Sequence, residues 1–380
     1  MKNRLRYTPE LAGLRGLAAL LVCFYHFLQD VRPVPATEGV FRRILSTIAS
    51  HDYVTVDVFF VLSGFLITSL LLEHKEKPHY FYNFYWRRAL RIVPVLLITM
   101  ALFWHSVPWG RSYILLCFLF VANFSGHFGV PILSPLWTLC VEEQFYLIWP
   151  HAVRHCKLAI LAWMGVGLMV FSTLLRVLIP YVFHWPLDLT YSFYRLDGLG
   201  FGVLAACAYM TEEKLTPALR RVMKVLESDT LLYIWVAAFL MLPVFPHIPY
   251  LSQIYLSISL SNYLLFRFIY AVVVRKRRFP GLASAPMLYM GSISYAFYMF
   301  HTFVIGHFLT HYGPPDLMHG WVFVGRMLLV YALTIAAASA SLFLVEKPAQ
   351  RLRRYILARP SDIHESMAIQ PPQEEALVSR

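Results

Sequence analysis

The sequence predicts an all-α integral membrane protein with about ten transmembrane helices and one short re-entrant or interfacial helix. Of its 380 residues, 58% are hydrophobic and only 14% are charged, whereas soluble globular chains carry about 25% charged residues. Apolar runs of about twenty residues, the length that a helix needs to cross a bilayer, recur along the chain. The basic residues lie in short clusters between these runs, which is typical of cytoplasmic membrane loops.

Eleven apolar segments are candidates for crossing the membrane. The segment 112–122 is too short for a span, which needs about 20 residues. We therefore expect it to be re-entrant or interfacial and the other ten segments to cross. The candidates are 11–28, 54–73, 90–107, 112–122, 134–152, 158–181, 190–210, 229–246, 251–274, 286–310 and 321–346.

The basic clusters set the predicted orientation. They lie at the N-terminus, within 74–91 and 211–228, at 275–279 and in 346–354. If 112–122 does not cross the membrane, all these clusters fall on the cytoplasmic side, as the positive-inside rule requires. Both termini are then cytoplasmic. The membrane domain is expected over 8–350, and the polar tail 360–380 is expected to be disordered.

The net charge of +12 does not indicate nucleic acid as a partner. Because the positive residues cluster between apolar runs, we expect them to lie in cytoplasmic membrane loops, with membrane lipid as a partner. The five cysteines lie in or beside apolar runs, without the Cys or His spacing of a metal site. We therefore expect no metal and no permanently bound cofactor.

The first apolar segment, ELAGLRGLAALLVCFYHF, carries an arginine near one end and a histidine near the other. Arg15 and His26 are eleven residues apart, which on an α-helix is about 20° past three turns and roughly 16 Å along the axis. One stripe therefore presents a cation near the inner face and an imidazole higher in the membrane. A neutral imidazole could remove the proton of an attacking hydroxyl. Alternatively, His26 is a structural histidine that hydrogen-bonds to a neighbour.

The stretch FYWRRALRIVP places two arginines on one helix face. Arg88 and Arg91 are three residues apart and are therefore neighbours on a helix surface. Paired guanidinium groups suit phosphate or pyrophosphate, which they bind through forked hydrogen bonds. Arg87 is a weaker candidate for this role. The alternative is that these residues only anchor the helix at the inner headgroups.

Two adjacent glutamates lie midway through the apolar segment that begins near residue 134. An ionisable side chain inside a span costs several kcal/mol unless it is paired or hydrated, so each one indicates a functional site by default. Glu142 and Glu143 point about 100° apart on a helix, so each can meet a different partner. The alternative for Glu142 is a structural ion pair with Arg15 or Arg195.

Further polar residues form secondary candidates in the outer part of the membrane. They share the cost of burial that makes a functional role the default interpretation. These residues are Asp57, Arg195, Asp197 and His301. Ser63, followed by glycine in VDVFFVLSGFL, is expected to serve close helix packing or to line a substrate channel, and not to act as a nucleophile.

Several of these stretches together resemble the acyltransferase-3 family of integral-membrane acyltransferases. They are LAGLRGLAALLVCFYHF, VDVFFVLSGFL, RRALRIVP, SPLWTLCVEEQFYLIWP, RLDGLGFG, ISYAFYMFH and VEKP. The resemblance covers nearly the whole chain, from about residue 8 to residue 350. It implies transfer of an acyl group, usually acetyl, from a cytoplasmic acyl-CoA to a hydroxyl of a carbohydrate or glycolipid acceptor.

The resemblance also implies roles for individual residues. The family's first-helix arginine and histidine match Arg15 and His26, its arginine pair matches Arg88 and Arg91, and its membrane glutamate matches Glu142. Acyl-CoA, expected to be acetyl-CoA, is then a co-substrate bound by the three arginines. His26 is the expected general base, and Glu142 orients it or holds an arginine.

The resemblance further implies a protein of the bacterial inner membrane. Some members of the family carry a C-terminal esterase-like domain, and the expectation here is the stand-alone form. The alternative function is a proton-coupled transporter or flippase, because such carriers also place His, Glu and Arg in their spans. An enzyme differs from a carrier in releasing free CoA thiol without a membrane gradient.

Overall fold

The structure, a computed structural model, contains only helices and connecting segments in its described part. It describes residues 7–29, 53–106, 110–132, 135–183, 188–211, 215–241, 250–313 and 320–357. No strand occurs among these residues, which confirms the expected all-α class. The tail 360–380 lies outside the described residues, so its disorder stays a prediction.

The described α-helices follow one another along the chain, interrupted by short 3₁₀ and π segments. The α-helices are α1 (Pro9–Gln29), α2 (Tyr53–His74), α3 (Tyr80–Ser106), α4 (Gly110–Phe118), α5 (Leu136–His155), α6 (Leu158–Val182), α7 (Leu196–Thr211), α8 (Pro217–Leu226), α9 (Asp229–Met241), α10 (Tyr250–Val273), α11 (Ala285–Tyr312), α12 (Gly320–Ser341), α13 (Lys347–Arg351) and α14 (Arg353–Ile356). The 3₁₀ helices are Ala122–Phe128 and Ser192–Tyr194, and the π-helical turn is Leu342–Glu346.

Four described helical stretches are long and apolar enough to cross a membrane. These are Pro9–Leu28, Thr55–His74, Leu158–Ile179 and Trp321–Ile356. Shorter apolar helices cover Leu196–Met210, Asp229–Ala238 and Ser257–Val273. The protein is therefore a membrane protein, while the count of ten spans stays a prediction.

Two elements differ from a simple series of spans. α4 has nine residues, or about 14 Å, well short of the roughly 30 Å hydrocarbon core. This length agrees with the expected re-entrant or interfacial segment. α8 forms within the basic stretch 211–228, where we expected only a loop. Thr216 caps it by accepting a hydrogen bond from the backbone N–H of Leu219 at 3.3 Å.

The helices group into two compact units. One unit comprises α2 and the chain from α4 to α10, and we call it the aspartate unit. The other comprises α1, α3 and the chain from α11 onwards, and we call it the histidine unit.

Within the aspartate unit, α2 and α5 run parallel. Three contacts connect them in the same order along both helices: Phe60 with Trp137, Ser63 with Glu142, and Thr68 with Trp149. Between two parallel transmembrane helices the chain must cross an odd number of times. With α3 as one crossing, a crossing by α4 would make the number even. The orientation therefore favours an α4 that does not cross, as the ten-span order requires.

Glycines allow α2 and α7 to pack backbone against backbone. A Cβ atom on Gly64 would lie 2.3 Å from the carbonyl oxygen of Leu199, and one on Gly202 would lie 2.2 Å from that of Val61. No other residue fits such an approach, which is the usual reason for small residues between membrane helices.

Two buried ion pairs connect α2, α6, α7 and α10 in the aspartate unit. Arg176 of α6 donates hydrogen bonds to both carboxylate oxygens of Asp197 on α7 and, at 2.7 Å, to the hydroxyl of Ser259 on α10. Both charged side chains are 0% exposed. Bidentate geometry and the extra hydroxyl offset part of the cost of removing two charges from water.

The second ion pair lies beside the first. The Nη2 atom of Arg195 is 3.3 Å from Oδ1 of Asp57 on α2, and Ser261 of α10 donates to Oδ2 of Asp57 at 3.2 Å. The Arg195 guanidinium also lies over the rings of Phe60 and Trp137, 5.7 Å from each centroid. We call the two pairs, with their two serines, the arginine–aspartate ladder.

A labelling experiment tests the topology. In a chain without its native cysteines, we introduce Phe128→Cys, before α5, and His155→Cys, at the end of α5; both native side chains are exposed. A membrane-impermeant maleimide should label position 128 only in intact cells and position 155 only in inverted vesicles. The reverse pattern would show that α4 crosses the membrane and that the ten-span order is wrong.

Unfolding measurements in detergent test the ladder. Asp197→Leu leaves the Arg176 charge buried without its carboxylate and should destabilise the protein by about 3–5 kcal/mol. The double variant Arg176→Met with Asp197→Leu should lose much less than the sum of the single variants. Asp229→Leu is the matched control, because Asp229 pairs with Arg267 at 2.6 Å but is 68% exposed, and such pairs contribute about 0–1 kcal/mol. Additive losses at Arg176 and Asp197 would contradict the ladder's role.

Candidate functional site

One ring nitrogen of His26, the histidine of the first helix, hydrogen-bonds to the backbone. His26 is half-buried on α1, and its Nδ1 lies 2.9 Å from the carbonyl oxygen of Val22, one turn earlier. A carbonyl oxygen only accepts, so Nδ1 carries the proton in the neutral imidazole. The lone pair is then on Nε2, which is the nitrogen that can accept a proton from a substrate.

A second histidine contacts the first. His301 is fully buried on α11, and its Nδ1 lies 2.5 Å from the carbonyl oxygen of Tyr298, so this nitrogen also carries the proton. Its Nε2 lies 3.3 Å from Nδ1 of His26. His301 was a secondary candidate from the sequence, and the structure places it directly beside the primary candidate. We call the two residues the histidine pair.

The histidine pair forms because α1 and α11 are parallel and very close. A Cβ on Gly16 would lie 2.7 Å from the backbone nitrogen of Gly291, and one on Gly291 would lie 2.3 Å from the carbonyl oxygen of Ala12. His26 is ten residues beyond Gly16, and His301 is ten residues beyond Gly291. Equal spacing on parallel helices brings the two rings to one level, about 15 Å above the glycine contact.

The three candidate arginines lie on α1 and α3, near the level of that glycine contact along the helix axes. Arg15 precedes Gly16 on α1, and all three arginines are half-buried. On α3, the carbonyl oxygen of Ile92 accepts a hydrogen bond at 3.0 Å from the hydroxyl of Tyr295 on α11.

Helix register relates these arginines to the histidine pair. Phe103 and Phe303 are in contact further along, so α3 also runs parallel to α11. Arg88 and Arg91 therefore lie within about one helical turn of the level of Arg15. The histidine unit thus carries three cations at one level and two imidazoles at another.

The predicted glutamate belongs to the other unit. Glu142 is half-buried on α5 and accepts a hydrogen bond from the hydroxyl of Ser63 at 2.6 Å. Its pairing with His26 therefore stays a prediction. Of the alternative partners, Arg195 forms its ion pair with Asp57. Glu143 is also half-buried on α5.

The remaining secondary candidates lie in contacts that hold helices together. Asp57, Arg195 and Asp197 are all members of the arginine–aspartate ladder and are fully buried. Ser63 lies next to the close contact of α2 with α7, and its hydroxyl contacts Glu142. The four charges of the ladder form ion pairs with one another, which suits a scaffold better than a reacting group.

Two polar features were missed from the sequence. Arg176 lies in the apolar segment 158–181 but was not proposed as a site residue, although an arginine in an apolar run is itself a signal. The second is Gln144, directly after the glutamate pair. Its amide donates to the Phe120 carbonyl at 2.6 Å and to Asn123 Oδ1 at 3.0 Å, and its oxygen accepts from Ser192. The Gln144 side chain thus connects the segment before α5 with the segment before α7 through hydrogen bonds.

Comparison with known proteins identifies the family. The family model described as "Acyltransferase domain", that of the acyltransferase-3 family, matches residues 9–344. Peptidoglycan O-acetyltransferase OatA of Listeria monocytogenes is 31% identical over 53% of this chain and 33% of its own length. Putative peptidoglycan O-acetyltransferase YrhL of Bacillus subtilis is 25% identical over 90% of this chain and 55% of its own length.

The chain thus spans about a third to about a half of the length of these relatives. No solved structure matches it significantly. The family match extends over nearly all of the predicted membrane domain and confirms both the resemblance and the expectation of an enzyme. The chain belongs to the acyltransferase-3 family of acyltransferases.

Proposed function

We propose that this protein transfers an acetyl group from cytoplasmic acetyl-CoA to a hydroxyl of a carbohydrate, with His26 as the general base. The observation that carries the proposal is the imidazole of His26, whose Nε2 is left as the proton acceptor by the Nδ1 contact with Val22. It belongs to the same packed helices as three arginines about 15 Å away along the helix axes. The arginines at one level could bind the phosphates at one end of a long acetyl donor. The imidazole at the other level could act near the thioester at the donor's other end.

The arginine level is the proposed site of the donor phosphates. Arg88 and Arg91 provide two guanidinium groups one turn apart on α3, and Arg15 adds a third on α1. Forked, charge-assisted hydrogen bonds bind phosphate more strongly than single neutral ones. The pantetheine arm would then extend from this level towards the histidine pair.

At the histidine pair, His26 would act on the acceptor. Its Nε2 removes the hydroxyl proton as the acceptor oxygen attacks the thioester carbonyl carbon. A C–O bond forms, the C–S bond breaks, and the departing thiolate receives the proton from the imidazolium. A correctly positioned base of this kind contributes about 10²–10⁴-fold to the rate.

The names of the relatives support a carbohydrate acceptor. Two of them are named as a peptidoglycan O-acetyltransferase and a putative one. We therefore propose peptidoglycan or a related surface glycan as the acceptor class, and the bacterial inner membrane as the location. The transporter alternative is not favoured, because the family is one of acyltransferases.

Purified protein in detergent should release CoA thiol from acetyl-CoA only when a carbohydrate acceptor is present. With N-acetylglucosamine oligosaccharide as the acceptor probe, the product should gain the mass of one acetyl group. His26→Gln keeps a polar group of similar reach but is a poor base, so thiol release should fall by at least about 100-fold. Acetyl-CoA affinity, measured by direct binding, should change little.

The outcomes separate the possibilities. Thiol release by the wild type with no product on any glycan acceptor would overturn the carbohydrate assignment. A folded His26→Gln variant with more than about a tenth of the wild-type rate would overturn the general base, because the expected loss is far larger. No thiol release under any acceptor condition, with transport in vesicles, would favour a carrier.

Alanine at the arginine pair tests donor binding. Arg88→Ala or Arg91→Ala should raise the KM for acetyl-CoA by about tenfold or more, since each removes charge-assisted hydrogen bonds. Lysine should restore only part of the affinity, because the planar fork is lost. Arg354→Ala is the matched control, an exposed arginine on the same unit. If the affinity for acetyl-CoA were unchanged in both alanine variants, the arginine pair would not bind the donor and would only anchor its helix at the inner membrane surface.

A further inference from the structure

We infer that His301 is a positioning residue that orients His26 by accepting a hydrogen bond from its Nδ1–H throughout the reaction. The inference rests on the proposed function, because it assigns a task to the neighbour of the proposed base. The contact that carries it is the 3.3 Å distance between Nε2 of His301 and Nδ1 of His26.

The positions of the protons make His301 an acceptor. Nδ1 of His301 lies 2.5 Å from the carbonyl oxygen of Tyr298, which can only accept, so that nitrogen holds the ring's one proton. Nε2 of the neutral ring therefore presents a lone pair. The nearest donor in the pair is the Nδ1–H of His26, which also points at Val22.

The environment favours the neutral form of His301. Its side chain is fully buried in α11, next to the Tyr298 ring at 5.4 Å between centroids. A charged imidazolium in such a place would be costly unless it were paired. A neutral acceptor, by contrast, needs only the one hydrogen bond that the His26 ring supplies.

The two acceptors of the His26 proton have different tasks. Val22 lies on the same helix and is part of the local backbone, so it sets the tautomer. His301 lies on α11 and fixes the direction of the ring relative to a second helix. When His26 takes a proton on Nε2, its Nδ1–H becomes a stronger donor, and both acceptors stabilise the positive charge.

The test compares two substitutions of similar size. In His301→Gln the amide oxygen reaches the position of the imidazole Nε2 and can accept the hydrogen bond from Nδ1–H of His26. In His301→Met the side chain has similar length but only a weak thioether acceptor. We expect the Gln variant to keep most of the wild-type kcat and the Met variant to lose about 10- to 100-fold, as for loss of a hydrogen bond to a charged group.

The KM for acetyl-CoA should stay near the wild-type value in both variants, because the proposed donor site lies at the arginine level, about 15 Å away. Thermal unfolding in detergent is measured for each variant. A purely structural histidine predicts equal losses for Gln and Met, or losses that follow the thermal stability, and either result would overturn the inference.

A third variant covers the case in which His301→Met fails to fold. His301→Asn remains polar, but its shorter amide does not reach the position of Nε2. The Asn variant should therefore lose kcat as Met would, while Gln retains it. Equal activity of Asn and Gln would count against the positioning role.

The His26→Gln variant separates this inference from the proposed function. If His26→Gln is inactive and the two His301 variants do not differ, only the role of His301 fails. If His26→Gln is active, the proposed base itself fails. In the double variant His26→Gln with His301→Met, the loss should be no greater than in His26→Gln alone, because residues that act as one unit are not additive.

Discussion

The aspartate unit depends on burying four charged side chains together. Each of them alone would cost several kcal/mol inside a membrane span, yet the two arginines and two aspartates of the ladder sum to zero charge. The hydroxyl of Ser259 hydrogen-bonds to both members of the first ion pair, and that of Ser261, two residues further along α10, hydrogen-bonds to Asp57 of the second. Because the pairs have geometric requirements, they also fix the register of four helices, and Glu142 and Gln144 lie on a helix, α5, that packs against one of these four.

The histidine unit reaches the geometry of its histidine pair through close helix packing. Close glycine contacts set the height of α1 against α11, and the equal spacing from those contacts then brings His26 and His301 together. A bulkier residue at Gly16 or Gly291 would separate the helices at the arginine level. It would thereby displace the histidine pair, although neither glycine is near a ring.

The sequence alone predicted much of this arrangement. Apolar runs and basic clusters predicted the helices, since the bilayer imposes length and charge asymmetry that any such chain must show. The stripe of Arg15 and His26 followed from helical periodicity. The contact of His26 with His301 did not, because it joins residues 275 positions apart and depends on backbone approach between two glycines. Likewise, Asp57, Arg195 and Asp197 were recognised as costly, but their partners became evident only in the packed helices.

His301 is a neutral hydrogen-bond partner for His26, the proposed base. A carboxylate in the place of His301 would stabilise the imidazolium more strongly, but it would also bring a negative charge to this buried level. His301 accepts the same Nδ1–H without adding a charge to a buried level of the membrane, where an unpaired charge is expensive. In the proposed site, the guanidinium groups of the arginine level would meet the phosphates of the donor, which carry the opposite charge. In the proposed mechanism, the proton that His26 takes up comes from the acceptor hydroxyl.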